Sequence, residues 1–199
     1  MVHVDPSCPF AWITFRWLSE VERSASIDLH VRLLSLSVVN EDRPLDDWYR
    51  DFNDKAWAPA RVMAATGRQH GDGAARRFYQ SFGERFHVQL GTGDDVDRRA
   101  VALHALAAAA LPDALIDAAD DPRWDDELRT TTNETLDRVG LDVGVPVVEI
   151  DGAAVSGPVM TAIPRGPAAV AVFDAVCVLA RHPGFTRLER RRTSDLQTA

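Results

Sequence analysis

The sequence predicts an α/β protein with a large helical segment inserted between two groups of strands. Three observations carry this. Residues 1–40 read as strand, helix, strand. Residues 41–140 are rich in Ala, Arg and Asp and have almost no strand pattern. After Gly144 two short apolar runs return, joined by Asp151-Gly152, and a closing helix follows. The expected organisation is one unit made of residues 1–40 and 141–199, with 41–140 as an inserted helical subdomain.

Met1 to Val4 is a short β-branched run that ends at Asp5-Pro6. From Pro9 to Arg23 the pattern is helical: Ile13, Trp17 and Val21 fall four apart, with Phe10 leading in. Pro9 suits the first helical position, where its missing N–H has no partner in any case. Ile27 to Val39 alternates through Leu29, Val31 and Leu33 and reads as a strand, with Leu34–Val39 bending into a loop. A parallel β-α-β unit places the first strand-to-helix junction at the carboxyl end of the sheet, where open α/β folds bind ligands.

Within the insert, helices are expected near Leu45–Thr66, Asp72–Phe86, Asp95–Ala110, Pro112–Ala119 and Pro122–Val139. Asp94 or Asp95 is the expected cap of the third. Val101–Leu111 reads as a buried helix lined with alanine. Beyond it, Val145–Ile150 and Ala153–Ser156 flank a strong type I′ hairpin signal at Asp151-Gly152. Pro164–Ala180 is the closing helix, with Val170, Phe173, Val176 and Cys177 on one side. The polar tail from Thr186, with Arg190, Arg191 and Arg192 in a row, reads as solvated.

The chain has 199 residues, enough for one domain or one domain carrying an insert. Its net charge of −8 opposes bulk neutralisation of phosphates, so a nucleic-acid partner is not expected. No apolar run approaches the roughly 20 residues of a membrane helix, and no secretory leader is visible. Cys8 and Cys177 do not make a disulfide framework, which points to a cytoplasmic, reducing setting.

Cys8 is the leading chemical candidate. At a helix start its sulfur faces backbone N–H groups, an arrangement that favours the thiolate and predicts a lowered pKa. The plainer reading is a small buried apolar residue. The second cysteine of a redox pair would stand three residues on, where this chain has Ala11. Pro146 is either a cis proline or a trans proline opening an edge strand; the residues alone favour trans. Cys177 lies mid-helix among apolar neighbours and reads as core.

The six histidines show no metal-binding spacing, and no cysteine cluster exists for zinc, so no metal is expected. His87, near Arg85 after a helix, reads as a solvated loop residue or a pocket residue. His3 reads as a half-exposed strand residue. Asn40, Trp57 and Arg61 stand where the insert begins. Trp57 reads as core and Arg61 as a salt-bridged surface residue, each with substrate binding as its alternative. Gly71-Asp72-Gly73 and Gly91-Thr92-Gly93 do not follow strands, so no nucleotide loop is expected. Asp46-Asp47 and Asp125-Asp126 read as helix-start charges.

Several stretches together resemble a known family. They are Asp5-Pro6-Ser7-Cys8-Pro9-Phe10-Ala11-Trp12-Ile13-Thr14 with Arg16-Trp17, Leu34 to Glu41, Trp57 to Val62, Gly144-Val145-Pro146, Gly157-Pro158-Val159 and Ile163-Pro164-Arg165-Gly166. They are similar to mycothiol-dependent nitroreductases of actinobacteria, thiol oxidoreductases with a DsbA-like thioredoxin fold. The resemblance runs nearly end to end.

It implies that Cys8 is the nucleophile, with Pro9, Phe10, Ala11, Val145 and Pro146 around it and Pro146 as a cis proline. Asn40, Trp57, Arg61, His87 and Ser156 become candidate substrate-binding residues. Mycothiol is the implied cosubstrate, a small electrophile the implied substrate, and a mycoredoxin-like protein a possible reductant; a homodimer is compatible with it. Three departures stand out. Ala11 replaces a cysteine common in relatives, Val147 replaces a common threonine, and Thr131 to Glu134 lacks a His-His pair. The N-terminus is short against the family pattern, so strand one is expected to be trimmed.

Without a second cysteine, a mixed disulfide between Cys8 and a small thiol must be resolved by another thiol molecule. Two alternatives stay open. One is a thiol transferase or isomerase related to kappa-class glutathione transferases, which activates a bound small thiol. The other is a binding protein that kept the fold without the chemistry.

Overall fold

β1 (Val2–Val4) is buried at every position and lies inside a four-stranded sheet. In the computed structural model, which describes residues 1–25, 27–91, 95–141 and 143–199, the strand order is β2-β1-β3-β4. β2 (Val31–Leu33) runs parallel to β1, with Val2 opposite Val31 and Val4 opposite Leu33. β3 (Val147–Ile150) is antiparallel to β1, and β4 (Ala153–Ser156) is antiparallel to β3. Asp151 and Gly152 both take positive φ, 51° and 83°, as a type I′ turn requires.

α1 (Pro9–Ser24) follows β1. Its buried residues are Ala11 to Phe15, Trp17, Leu18 and Val21, so it is enclosed on most sides rather than on one stripe. The enclosure is polar where it must be. The Trp17 indole N–H donates to the Ala169 carbonyl at 2.9 Å, and the Thr14 hydroxyl donates to the Pro158 carbonyl at 2.9 Å. Ala169 belongs to α7 (Pro167–Ala180), which packs against α1 and β4. Cys177 is buried on α7 as expected of a core residue, and both cysteines are free.

The expected strand Ile27–Val39 shortens to β2. The Leu34 N–H still bonds the Val4 carbonyl at 2.9 Å, but the chain then turns into α2 (Leu36–Val39). Ser35 caps it, its hydroxyl accepting from the Val38 N–H, and a buried carboxylate binds the Leu36 N–H. These acceptors end the strand; alternation alone does not show them.

Between β2 and β3 lie α3 (Asp47–His70), α4 (Asp72–Gly83), α5 (Arg98–Ala108) and α6 (Asp125–Val139). α3 packs on α4, α5, α6 and a 3₁₀ segment, Asp113–Asp120, which replaces the expected α-helix there. Pro122–Trp124 is also 3₁₀. α5 starts later than expected because Asp97 caps it, accepting from the N–H groups of Arg99 and Ala100. Of the two expected caps, Asp94 lies outside the described residues and Asp95 precedes the helix. α5 buries one face, Val101, Ala102, Ala105 and Leu106, and leaves Leu103 exposed.

α4 does not continue to Phe86. It passes at Gly83 into a π-helical turn, Glu84–Gln89. Gly83 is fixed by a close approach: a Cβ there would stand 2.2 Å from Trp12 Cε3. In an ordinary exposed helix interior, Gly→Ala gains about 1 kcal/mol. Here the sign reverses. Gly83→Ala is expected to lower stability by about 1–3 kcal/mol, the usual cost of overpacking, measured as a drop in the urea unfolding midpoint at constant slope.

Candidate active site

The loop from β1 to α1 is built on Asp5. Its carboxylate is fully buried and each oxygen takes one backbone N–H: Ser7 at 2.8 Å and Leu36 at 2.8 Å. Burial pushes this carboxyl up to about 6, while the Leu36 and Ser7 N–H groups and the Arg98 charge pull against it. Arg98 comes from α5 and is itself buried. Its Nη1 donates to Ser7 Oγ at 3.2 Å and to the Phe52 carbonyl at 2.7 Å, and its guanidinium lies over the rings of Phe52 and Phe86. Ser7, the residue before Cys8, is thus held from both sides.

Cys8 is the N-cap residue of α1, with Pro9 at the first helical position. Its thiol is 5% exposed and donates to the Val145 carbonyl at 3.8 Å. That contact brings the Gly144-Val145-Pro146 stretch to the sulfur, and the Val145–Pro146 peptide is cis. The expected low pKa is corrected. Burial pushes the thiol up to about 12; the Ala11 and Phe10 N–H groups favour the thiolate but do not offset it, and the Asp5 charge opposes it. The helix end is where the sequence places it, but the sulfur is buried, so the resting form is a thiol.

His87 is also corrected from a solvated loop residue to a buried one. It sits in the π-helical turn, a feature found often at functional sites. Its Nε2–H donates to the Pro6 carbonyl at 2.9 Å, and its ring stacks on Trp12 with centroids 5.9 Å apart. Burial pushes its pKa down to about 3, so the ring is neutral with its proton on Nε2. Tyr79 packs edge-on against Trp12 and Phe15, and its buried hydroxyl has no hydrogen-bond partner among the described residues.

Asn40 is buried at the end of α2. Its amide donates to the Leu36 carbonyl, the Tyr49 hydroxyl and Asn53 Oδ1. It helps line a shallow groove of about 490 Å³ that also includes Arg43, Tyr49, Val143 and Gly144, adjoining the Val145 that meets Cys8. Trp57 and Arg61 are engaged elsewhere. Arg61 makes a two-pronged ion pair with Asp125 (2.7 and 3.0 Å) and bonds the Ala119 carbonyl. The guanidinium groups of Arg61 and Arg129 both lie over the Trp57 ring, 5.2 and 5.8 Å from its centroid. Ser156 is exposed at the end of β4, opposite the fully buried Val147. His3 is buried, not half-exposed, its Nδ1 3.0 Å from the Thr135 hydroxyl; burial pushes its pKa down to about 4.

Phe10 is partly buried, and Ala11, whose side chain is a single methyl group, is fully buried. Among the described residues no cluster of His, Cys, Asp and Glu could hold a metal, and no helix is long and apolar enough to cross a membrane. The anchoring role of Asp5, the reach of Arg98 and the placement of Tyr79 are not visible in the sequence. Only the Asp-Pro-Ser-Cys spacing hints at the first.

Comparison with known proteins matches residues 7–190 to the Rv2466c-like family model, described as mycothiol-dependent nitroreductase Rv2466c. The chain is also 31% identical over 196 residues to the uncharacterized protein Rv2286c of Mycobacterium tuberculosis, covering 96% of this chain and 81% of that protein.

Asp5→Asn offers one acceptor oxygen and an NH₂ where two N–H groups need acceptors. It is expected to cost about 1–3 kcal/mol of stability, read by urea unfolding. It also removes the charge that raises the Cys8 pKa, so the pH profile of Cys8 alkylation shifts to lower pH. His3 and His87 are held neutral with pKa values of about 4 and 3, against an ordinary 6.5. The unfolded chain therefore takes up their protons first, and stability falls as pH drops from 6.5 towards 4. Asp5, held at about 6 against 3.8, acts in the opposite sense over the same window. The two histidines outweigh it, so the urea midpoint at pH 4.5 is expected below that at pH 7.

Proposed function

From the premise that the chain belongs to the Rv2466c-like family, we propose that it is a thiol-dependent oxidoreductase using Cys8 as a monothiol nucleophile and mycothiol as cosubstrate. The observation that carries this is the meeting of Cys8, at the start of α1, with the Val145 carbonyl beside a cis Pro146. The strand order, the parallel β1–α1–β2 unit and the antiparallel β3–β4 hairpin support reading the frame as a DsbA-like thioredoxin fold. In that reading residues 1–40 and 141–199 form the thioredoxin-like part, 41–140 the helical insert, and the setting is cytoplasmic.

The chemistry follows from one thiol. Cys8 loses its proton, and its sulfur attacks one sulfur of a small disulfide. An S–S bond forms to Cys8 as the original S–S bond breaks, and one thiolate leaves and takes up a proton. Ala11 cannot resolve the adduct, so a second mycothiol attacks it, releases Cys8 and forms a new disulfide. With a nitro compound as acceptor, two mycothiols supply two electrons and two protons, giving a nitroso product, water and mycothiol disulfide. The groove beside Asn40 and Gly144 is where the small thiol would lie.

Treatment with mycothiol disulfide is expected to add one mycothiol per chain, located at Cys8 by peptide mass, and reduced mycothiol is expected to remove it. Cys8→Ser should take no adduct and lose at least about a hundredfold in turnover, the scale on which nucleophile loss acts. Full turnover in Cys8→Ser would instead favour a transferase that activates mycothiol without a protein nucleophile.

A further inference from the structure

The C-terminal residues do not trail into solvent. Along Asp195 to Ala199 exposure alternates: Leu196 and Thr198 are half-buried, while Asp195, Gln197 and Ala199 are exposed. That is the period of an extended segment laid on a surface. The segment is held at both ends. The Gln197 N–H donates to the Thr161 carbonyl at 2.7 Å, and the Ser194 and Thr161 hydroxyls lie 2.9 Å apart. Thr198 then bonds both members of the stacked ring pair. Its carbonyl accepts from the Trp12 indole N–H at 2.9 Å, and its hydroxyl donates to the His87 carbonyl at 2.8 Å.

Both members of that pair are tied to the Cys8 loop. The Trp12 backbone N–H bonds the Cys8 carbonyl at 3.1 Å, and the His87 ring bonds the Pro6 carbonyl. The segment therefore joins three elements that surround the start of α1: the second turn of α1, the π-helical turn, and the loop between β4 and α7. Two of its four bonds use its own main chain, at Gln197 and Thr198, and two use the Ser194 and Thr198 hydroxyls.

We propose that residues 194–198 form a strap that closes the Cys8 site, and that its release is the step that admits a small thiol or disulfide to the sulfur. This rests on the reading of Cys8 as the reacting group. While the strap is seated, Thr198 holds Trp12 against His87 and Cys8 stays buried. Release leaves the indole N–H to water, loosens the ring pair and hydrates the sulfur at the helix start, where the Phe10 and Ala11 N–H groups can then hold a thiolate.

Two full-length variants test this. Gln197→Pro deletes the N–H that bonds Thr161, and Thr198→Val deletes the hydroxyl that bonds His87. Iodoacetamide labelling of each cysteine is followed by peptide mass at pH 8, with buried Cys177 as internal control. Labelling of Cys8 is expected to accelerate about fivefold in each variant, the factor of one net hydrogen bond, with Cys177 unchanged. An unchanged Cys8 rate in both variants overturns the strap, as does an equal acceleration at both cysteines, which would mark general loosening. The labelling uses no mycothiol. Faster labelling without a Cys8–mycothiol adduct would leave the strap standing and refute the proposed cosubstrate.

Discussion

The structure depends on one buried anion. Asp5 is out of water, and an isolated carboxylate there would be too costly to keep. It is retained because each oxygen has a backbone N–H and Arg98 lies close by. Those two hydrogen bonds fix two different things. The bond from Ser7 sets the turn that delivers Cys8 to the head of α1. The bond from Leu36 ends the second strand and starts α2. Arg98 completes the arrangement from α5, so the helical segment contributes to the architecture of the Cys8 loop.

Around that anchor two effects on Cys8 compete. A helix N-terminus stabilises a thiolate, and burial destabilises it. In this conformation burial wins. The difference between the ordinary value of 9.0 and about 12 corresponds to about 4 kcal/mol against ionisation at this site. That is large beside a single hydrogen bond, so hydration of the site matters more than small adjustments of its charges. A closed, protonated resting state and an open, ionisable one follow from the same residues.

The aromatic wall explains how closure is built. Trp12 has a flat face on the backbone of Gly83, a ring partner in His87 and an edge partner in Tyr79. The π-helical turn after Gly83 widens the helix by one residue and brings Phe86 and His87 inward. A histidine following a helix carries no sign of this in sequence, because the extra residue of a π-turn leaves no periodic signature over six positions.

By itself the sequence determined the order of the strands and long helices, the Asp151-Gly152 turn, the cysteine at a helix start and the absence of a partner at position 11. These are local: they follow from periodicity, from the φ values glycine and aspartate tolerate, and from residue identity. Tertiary structure decided the rest, because it depends on groups distant in the chain. Arg98 reaches Ser7, Leu36 ends a strand at Asp5, Trp57 and Arg61 turn to Asp125 and Arg129, and Thr198 closes on Trp12. The ionisation of Cys8 belongs to the second class. The helix start that favours its thiolate is written in six residues around it, while the burial that overrules it comes from the folded surroundings.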